Sequence, residues 1–264
     1  MESLGTRFHT AKSGIAFPAK LADLYKSYIP NDRKDVSVSL VDVSKSEQDN
    51  VVVRIRGSEY PSEVIILGSH IDSVASGRGG HAPGGDDDAS GTSINLEIFR
   101  VMMENEIFPS RTIEFHGYAA EEVGLVGSGE LAADYKKQNI DVKAMVQFDL
   151  ALYTGRRGLK LDTLYFVKNN TNAELNSDLI SLAQGYLEVS TVLKNLFGGN
   201  SDHYSWTRNG FPAALPTENP SDYNRKIHTK SDTLDALEEG SIGFAELYAK
   251  LGLSYVYHYG GVAN

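Results

Sequence analysis

Cysteine is absent from this 264-residue chain, and that removes cysteine nucleophiles, thiolate zinc sites and disulfides together. Any metal must then be held by His, Asp and Glu. Basic residues are also scarce: 25 Lys and Arg against 35 Asp and Glu give a formal net charge of −10, whereas a nucleic-acid footprint needs clustered cations. Lys136-Lys137 and Arg156-Arg157 are isolated pairs, so no nucleic-acid partner is expected. No apolar run approaches the roughly 20 residues that span a bilayer, and no membrane segment is expected. Met1-Glu2-Ser3-Leu4 lacks the basic and then apolar character of a secretory leader. Three catalytic templates are missing as well: Gly-x-Ser-x-Gly, Gly-x-x-x-x-Gly-Lys-Ser/Thr and His-Glu-x-x-His. Gly77-Arg78-Gly79-Gly80 lacks the dinucleotide fingerprint and reads as a mobile loop.

What is present fits one globular domain over residues 1–264. Hydrophobic residues make up 41% and charged residues 23%, within the range of water-soluble domains. There is no internal repeat, and Gly and Pro punctuate short elements. Val51–Ile55 and Val64–Leu67 are β-rich runs separated by turn-forming residues 57–62, and read as neighbouring strands. Ile94, Ile98, Val101 and Met102 recur at helical spacing. Thr112–Tyr118 alternates like a strand, Glu130–Gln138 is rich in helix formers, and Ala144–Phe148 is a further strand. A strand over Leu164–Val167 precedes a helix over Ala173–Tyr186, and a last helix covers Ile242–Tyr257 with Phe244, Leu247, Leu251 and Tyr255 inward. The alternation predicts an α/β fold with a mostly parallel central sheet flanked by helices on both faces.

In such sheets ligands gather at the carboxyl ends of strands, and there the metal-type side chains collect. His70 and Asp72 follow Val64–Leu67, Glu121-Glu122 follow Thr112–Tyr118, and Asp149 follows Ala144–Phe148. Gly84-Gly85-Asp86-Asp87-Asp88-Ala89-Ser90-Gly91 sets three adjacent carboxylates between glycines. Like charges so close require a compensating cation or helix-end amides, and two readings stay open for them. Asp88 or Ser90 could cap a helix beginning near Thr92, or the cluster could hold a divalent ion. Each residue taken alone has an ordinary role, as turn residue, solvated loop or surface histidine. Their convergence at successive strand exits favours a metal site.

His70-Ile71-Asp72, the acidic loop, Ala119-Ala120-Glu121-Glu122-Val123-Gly124-Leu125, Phe148-Asp149 and Ile227-His228-Thr229 resemble, in order, the motifs of the M28 zinc aminopeptidases, a zinc-exopeptidase fold of phosphorylase/hydrolase-like type. The likeness is to the secreted bacterial leucyl aminopeptidases of Vibrio and Aeromonas type, and runs from about Thr6 to Tyr257. It implies two Zn²⁺ ions bridged by Asp87, one completed by Glu122 and His228 and the other by His70 and Asp149. Glu121 is implied as general base, with Asp72 orienting His70 and Ser201 and Asp202 supporting from behind. Leu150, Leu215, Tyr223 and Ile227 are implied as substrate contacts. The implied activity is removal of N-terminal residues, apolar ones first, from peptides with a free N-terminus, by a hydroxide shared between two zinc ions. The likeness also implies a secreted monomer. Two further functions compete: a one-zinc glutaminyl cyclase on the same scaffold, and a non-catalytic metal-binding interaction domain.

Some segments depart from the family pattern. Relatives usually carry a tyrosine and a disulfide before Ser201-Asp202-His203, where this chain reads Leu196-Phe197-Gly198-Gly199-Asn200. Leu150-Ala151 stands where relatives often have Met and a polar residue. An N-terminal helix of the family is expected to be missing before Leu4–Gly14. His203 is expected to be structural, and His9, His81, His116 and His258 are read as surface, loop or packing residues.

Overall fold

Alternation along each strand divides the core in two. On the strand Asn50–Ile55 (β2), Val51, Val53 and Ile55 join one apolar cluster and Val52 the other; on Tyr60–His70 (β3), Ile65 and Leu67 join the first, Val64 and Ile66 the second. Period-two side chains therefore face opposite sides of one sheet, and each side needs a helical cover. The computed structural model, which describes residues 1–76, 80–155, 162–237 and 240–262, supplies covers on both. Helices Lys12–Ser27 (α1), Ala89–Glu104 (α2), Ala173–Tyr186 (α4) and Ser241–Tyr255 (α6) contribute to the larger cluster, while Val126–Lys137 (α3) and His203–Arg208 (α5) contribute Leu131, Ala132, Tyr135 and Trp206 to the smaller.

The sheet adds Val36–Val41 (β1), Arg111–Tyr118 (β4), Asp141–Gln147 (β5) and Ala213–Ala214 (β8), in the order β1-β2-β4-β3-β5-β8. The β4–β3, β3–β5 and β5–β8 pairs are parallel, and β1–β2 and β2–β4 are antiparallel. A separate small sheet orders Ser190–Lys194 (β7), Thr163–Val167 (β6) and Pro216–Thr217 (β9).

One expectation is corrected. β2 and β3 are not neighbours, because β4 lies between them, antiparallel to β2 and parallel to β3. The connecting residues cross the start of β4 instead of turning back on β2: Gly57 N–H donates to Thr112 Oγ1 and Ser58 N–H to the Pro109 carbonyl. A Cβ on Gly57 would lie 2.5 Å from the Arg111 carbonyl carbon, so the crossing requires glycine there. The helices expected over Ala173–Tyr186 and near Ile242 are found, the second passing into a π turn at Val256–Gly260. The mobile-loop reading of residues 77–80 falls largely outside the described residues, as does the Arg156-Arg157 pair. Among the described residues no helix is long and apolar enough to cross a membrane.

Candidate metal centre

Because β4, β3 and β5 run parallel, their carboxyl ends share one rim. β3 ends on His70, β5 leads through Phe148 to Asp149, and β4 leads through Ala119-Ala120 into a 3₁₀ turn at Glu121–Val123. Ala120 and Leu125 bracket that turn with left-handed backbone, φ 54° and 56°. The Asp72 carboxylate fixes it, accepting the Glu121 N–H at 3.0 Å on Oδ1 and the Glu122 N–H at 3.2 Å on Oδ2. Asp72 Oδ1 also lies 3.4 Å from His70 Nδ1. One buried carboxylate thus ties the imidazole to the Glu-Glu turn and orients both.

The acidic loop enters the same rim from the α2 side. Asp88 caps α2: its Oδ1 accepts the Gly91 N–H at 2.8 Å and its Oδ2 the His70 N–H at 3.0 Å. Gly91 packs so closely that a Cβ would meet the Phe148 carbonyl oxygen at 2.2 Å, which draws α2 against the end of β5. Asp86 turns away from the rim, accepting from Leu152 N–H and Asn224 Nδ2. Asp87 is left facing both histidines, with Oδ1 2.9 Å from His70 Nε2 and Oδ2 3.0 Å from His228 Nε2. His228 Nε2 is also 3.0 Å from Glu122 Oε2. Two sets of donor atoms result, His70–Asp87–Asp149 and Asp87–Glu122–His228, each within 4.8 Å of one another.

Charge in the rim is unevenly settled. Burial favours a neutral Asp87, but hydrogen bonds from His228 and His70 outweigh it and hold the carboxyl well below its ordinary range. His228 is pushed up to about 11 by hydrogen bonds to Asp87 and Glu122. His70 is raised too: burial works against its charge, and Asp72 and Asp87 override it. Burial raises Asp149 and raises Glu121 far above the carboxylate range, takes Glu122 to about 7, and, with Asp232 adding repulsion, takes Asp86 to about 8. The centre therefore demands positive charge and gathers protons on two imidazoles to meet the demand. The donor set suits a cation in their place. Imidazole nitrogen and carboxylate oxygen are the ligands zinc takes when thiolates are absent, and Asp149 Oδ1 is a buried oxygen with no hydrogen-bond partner among the described residues.

Several supports carry no sequence signal of their own. Asp232 accepts the N–H groups of both Asp86 and Asp87 at 3.1 Å, supporting Asp87 from behind. Arg7, fully buried, donates to the carbonyls of Ile71, Pro83 and Gly84 and sets a cation behind the acidic loop. Gln147 holds Asp202 through Nε2 at 3.0 Å. Asp232 stands four residues after His228, the one hint available; Arg7 is an isolated arginine far away in sequence.

A cleft of about 640 Å³ opens on the rim. Asp87, Glu121, Glu122, Asp149, Ser201 and His228 line it, and so do the four expected substrate contacts Leu150, Leu215, Tyr223 and Ile227. Glu218 and Arg225 also line it and were not anticipated. Asp72 and Asp202 lie buried behind this surface.

His203 begins α5 just beyond Ser201-Asp202, fully buried, and neither ring nitrogen is hydrogen-bonded among the described residues. Burial depresses it to about 3. A depressed folded-state value means that the unfolded chain takes up the proton first, so this stability is complete above about pH 6.5 and is lost toward pH 3. Between pH 7.5 and 5 the loss amounts to about 2 kcal/mol. Thermal melts should show the parent losing that much more than His203→Leu; equal losses would remove the effect.

Comparison with known proteins shows the family. Residues 50–250 match the model of peptidase family M28. The chain is 31% identical over 274 residues to the "Probable leucine aminopeptidase" of Trichophyton verrucosum, covering 100% of this chain and 72% of that protein. It is 34% identical over 246 residues to a "Probable aminopeptidase" of Saccharomyces cerevisiae, covering 89% of this chain and 64% of that protein. Among solved structures, the LapA aminopeptidase of Legionella pneumophila superposes with a TM-score of 0.89 at 31% identity, covering 98% of this chain and 69% of that one. The chain belongs to peptidase family M28. It is a hydrolase acting on peptide bonds.

Proposed function

We propose that this protein is a metalloaminopeptidase that holds two zinc ions and releases N-terminal residues, apolar ones preferentially, from peptides with a free amino terminus. The observation that carries the reading is Asp87, whose two oxygens are directed to the two histidines of different donor sets. On this reading His70 and Asp149 hold one ion, Glu122 and His228 the other, and Asp87 both. Zinc so held supplies Lewis acidity, lowering the pKa of a water and polarising a peptide carbonyl.

The remaining steps belong to the protein. Glu121 stands in neither donor set yet lines the same cleft, which suits a carboxylate that takes the proton from the attacking water and delivers it to the departing amine. Asp72 holds Glu121 and His70 in register through one side chain. Leu150, Leu215, Tyr223 and Ile227 offer an apolar wall for the first side chain, and the carboxylates of the rim suit a free ammonium. A one-zinc cyclase would use one donor set and leave the other without a task. An interaction domain would have no use for Glu121. Action outside the cell, as a monomer, completes the reading the resemblance implies.

The test is a pair of peptides differing only at the amino terminus. Leucyl peptides should lose their first residue, while the N-acetylated forms should react at least about 10²-fold more slowly, as expected when a buried ionic contact goes unmade. Equal cleavage of both would overturn the exopeptidase reading.

A further inference from the structure

We infer that Arg225 is a carboxylate-recognition residue of the cleft, giving preference to peptides that carry an anionic group. The inference rests on the aminopeptidase reading and names the substrate class that site would favour. Among the described residues lining the cleft, Arg225 is the one Lys or Arg, sharing that lining with Asp87, Glu121, Glu122, Asp149 and Glu218. The chain as a whole carries −10. Such an acidic balance disfavours an anionic substrate group over most of the surface, so an arginine away from the metal ligands gives it a place to settle.

The local structure presents this cation ready for use. Its guanidinium stacks on the Tyr223 ring at 3.9 Å, which occupies the flat face and leaves the N–H edge free for a two-pronged contact with a carboxylate. The backbone on both sides is pinned. Asn224 is buried, donating from its N–H to Glu218 Oε1 and from Nδ2 to Asp86 Oδ2, and its Oδ1 accepts the Lys226 N–H. Arg225 has no carboxylate partner among the described residues, whereas its neighbour Lys226 is engaged with the Ala236 carbonyl. A charged, stacked and anchored side chain with no carboxylate partner among the described residues is preorganised for a ligand. Three residues on lies His228, at the rim. A peptide with its ammonium at the rim extends its leaving portion along the cleft, and the anionic group Arg225 would meet is either the C-terminal carboxylate of a short peptide or an acidic side chain.

Two substrate pairs separate those sources: leucyl-alanine against its carboxamide, and the carboxamide of leucyl-glutamate against that of leucyl-glutamine. The readout is the ratio of kcat/KM within each pair, which cancels any general change in activity. The zinc-loaded parent should favour the anionic member about tenfold in at least one pair, and Arg225→Gln should reduce that ratio to about one, with Arg225→Lys between. The same ratios, read as Kd by calorimetry on Glu121→Gln with and without Arg225→Gln, need no turnover. Absent hydrolysis by the parent would thus sink the aminopeptidase reading and leave this one to be judged by binding. Ratios that Arg225→Gln leaves unaltered in both pairs would overturn it.

Discussion

Glu121→Gln is expected to keep its metal and to lose about 10³-fold in kcat on aminoacyl chromogenic amides. The size follows from the job assigned to it: general acid–base groups contribute roughly 10²–10⁴-fold, and Gln keeps the shape while removing the ability to take a proton. Metal should stay because neither donor set includes Glu121. The turn should also stay, since it is the backbone N–H of residue 121 that Asp72 holds. Near-parental kcat would remove Glu121 from the reaction. Loss of metal would make Glu121 a ligand instead, and metal content measured beside kcat separates the two outcomes.

Asp87→Ala is expected to abolish both hydrolysis and high-affinity zinc binding at both positions, because each donor set depends on that carboxylate. Stability provides a second reading of the same event. A ligand at 100 times its Kd stabilises a fold by about 2.7 kcal/mol, so two ions together supply about 5 kcal/mol, which the variant forgoes. The parent's Tm should fall by several degrees or more on adding a chelator, and the Asp87→Ala Tm should not move. A variant whose Tm still responded to the chelator would show that an ion is held without Asp87. His228 is 54% exposed while His70 is 1% exposed, so the ion on the His228 side should be removed first from the parent.

Much of this architecture was legible because function repeats a simple device at each strand exit. His70, Glu121-Glu122 and Asp149 can be placed on one rim once three strands are recognised as parallel, and the triple aspartate then has neighbours to face. The dual character of that cluster was also foreseeable: Asp88 caps α2, while Asp87 remains free to face the histidines. Other elements left fainter traces. α1 carries Gly14 and Pro18 within a helix, two residues that argue against helix from sequence, and tertiary packing of Phe17, Leu21 and Tyr25 overrides them. β1 is only half-buried, with little hydrophobic contrast, and β8 and β9 are two residues each. The insertion of β4 between β2 and β3 is a long-range choice that turn residues cannot encode. Asp232 and Arg7 matter through backbone groups they hold across the fold, and a contact to backbone has no partner residue type to search for.

The most direct measurement is a titration of metal-free protein with zinc, following bound metal and hydrolysis of a leucyl chromogenic amide in the same samples. Two donor sets meeting at Asp87 predict saturation at two equivalents per chain, with full activity only as the second is filled. Saturation at one equivalent, with activity already complete, would contradict the two-ion centre.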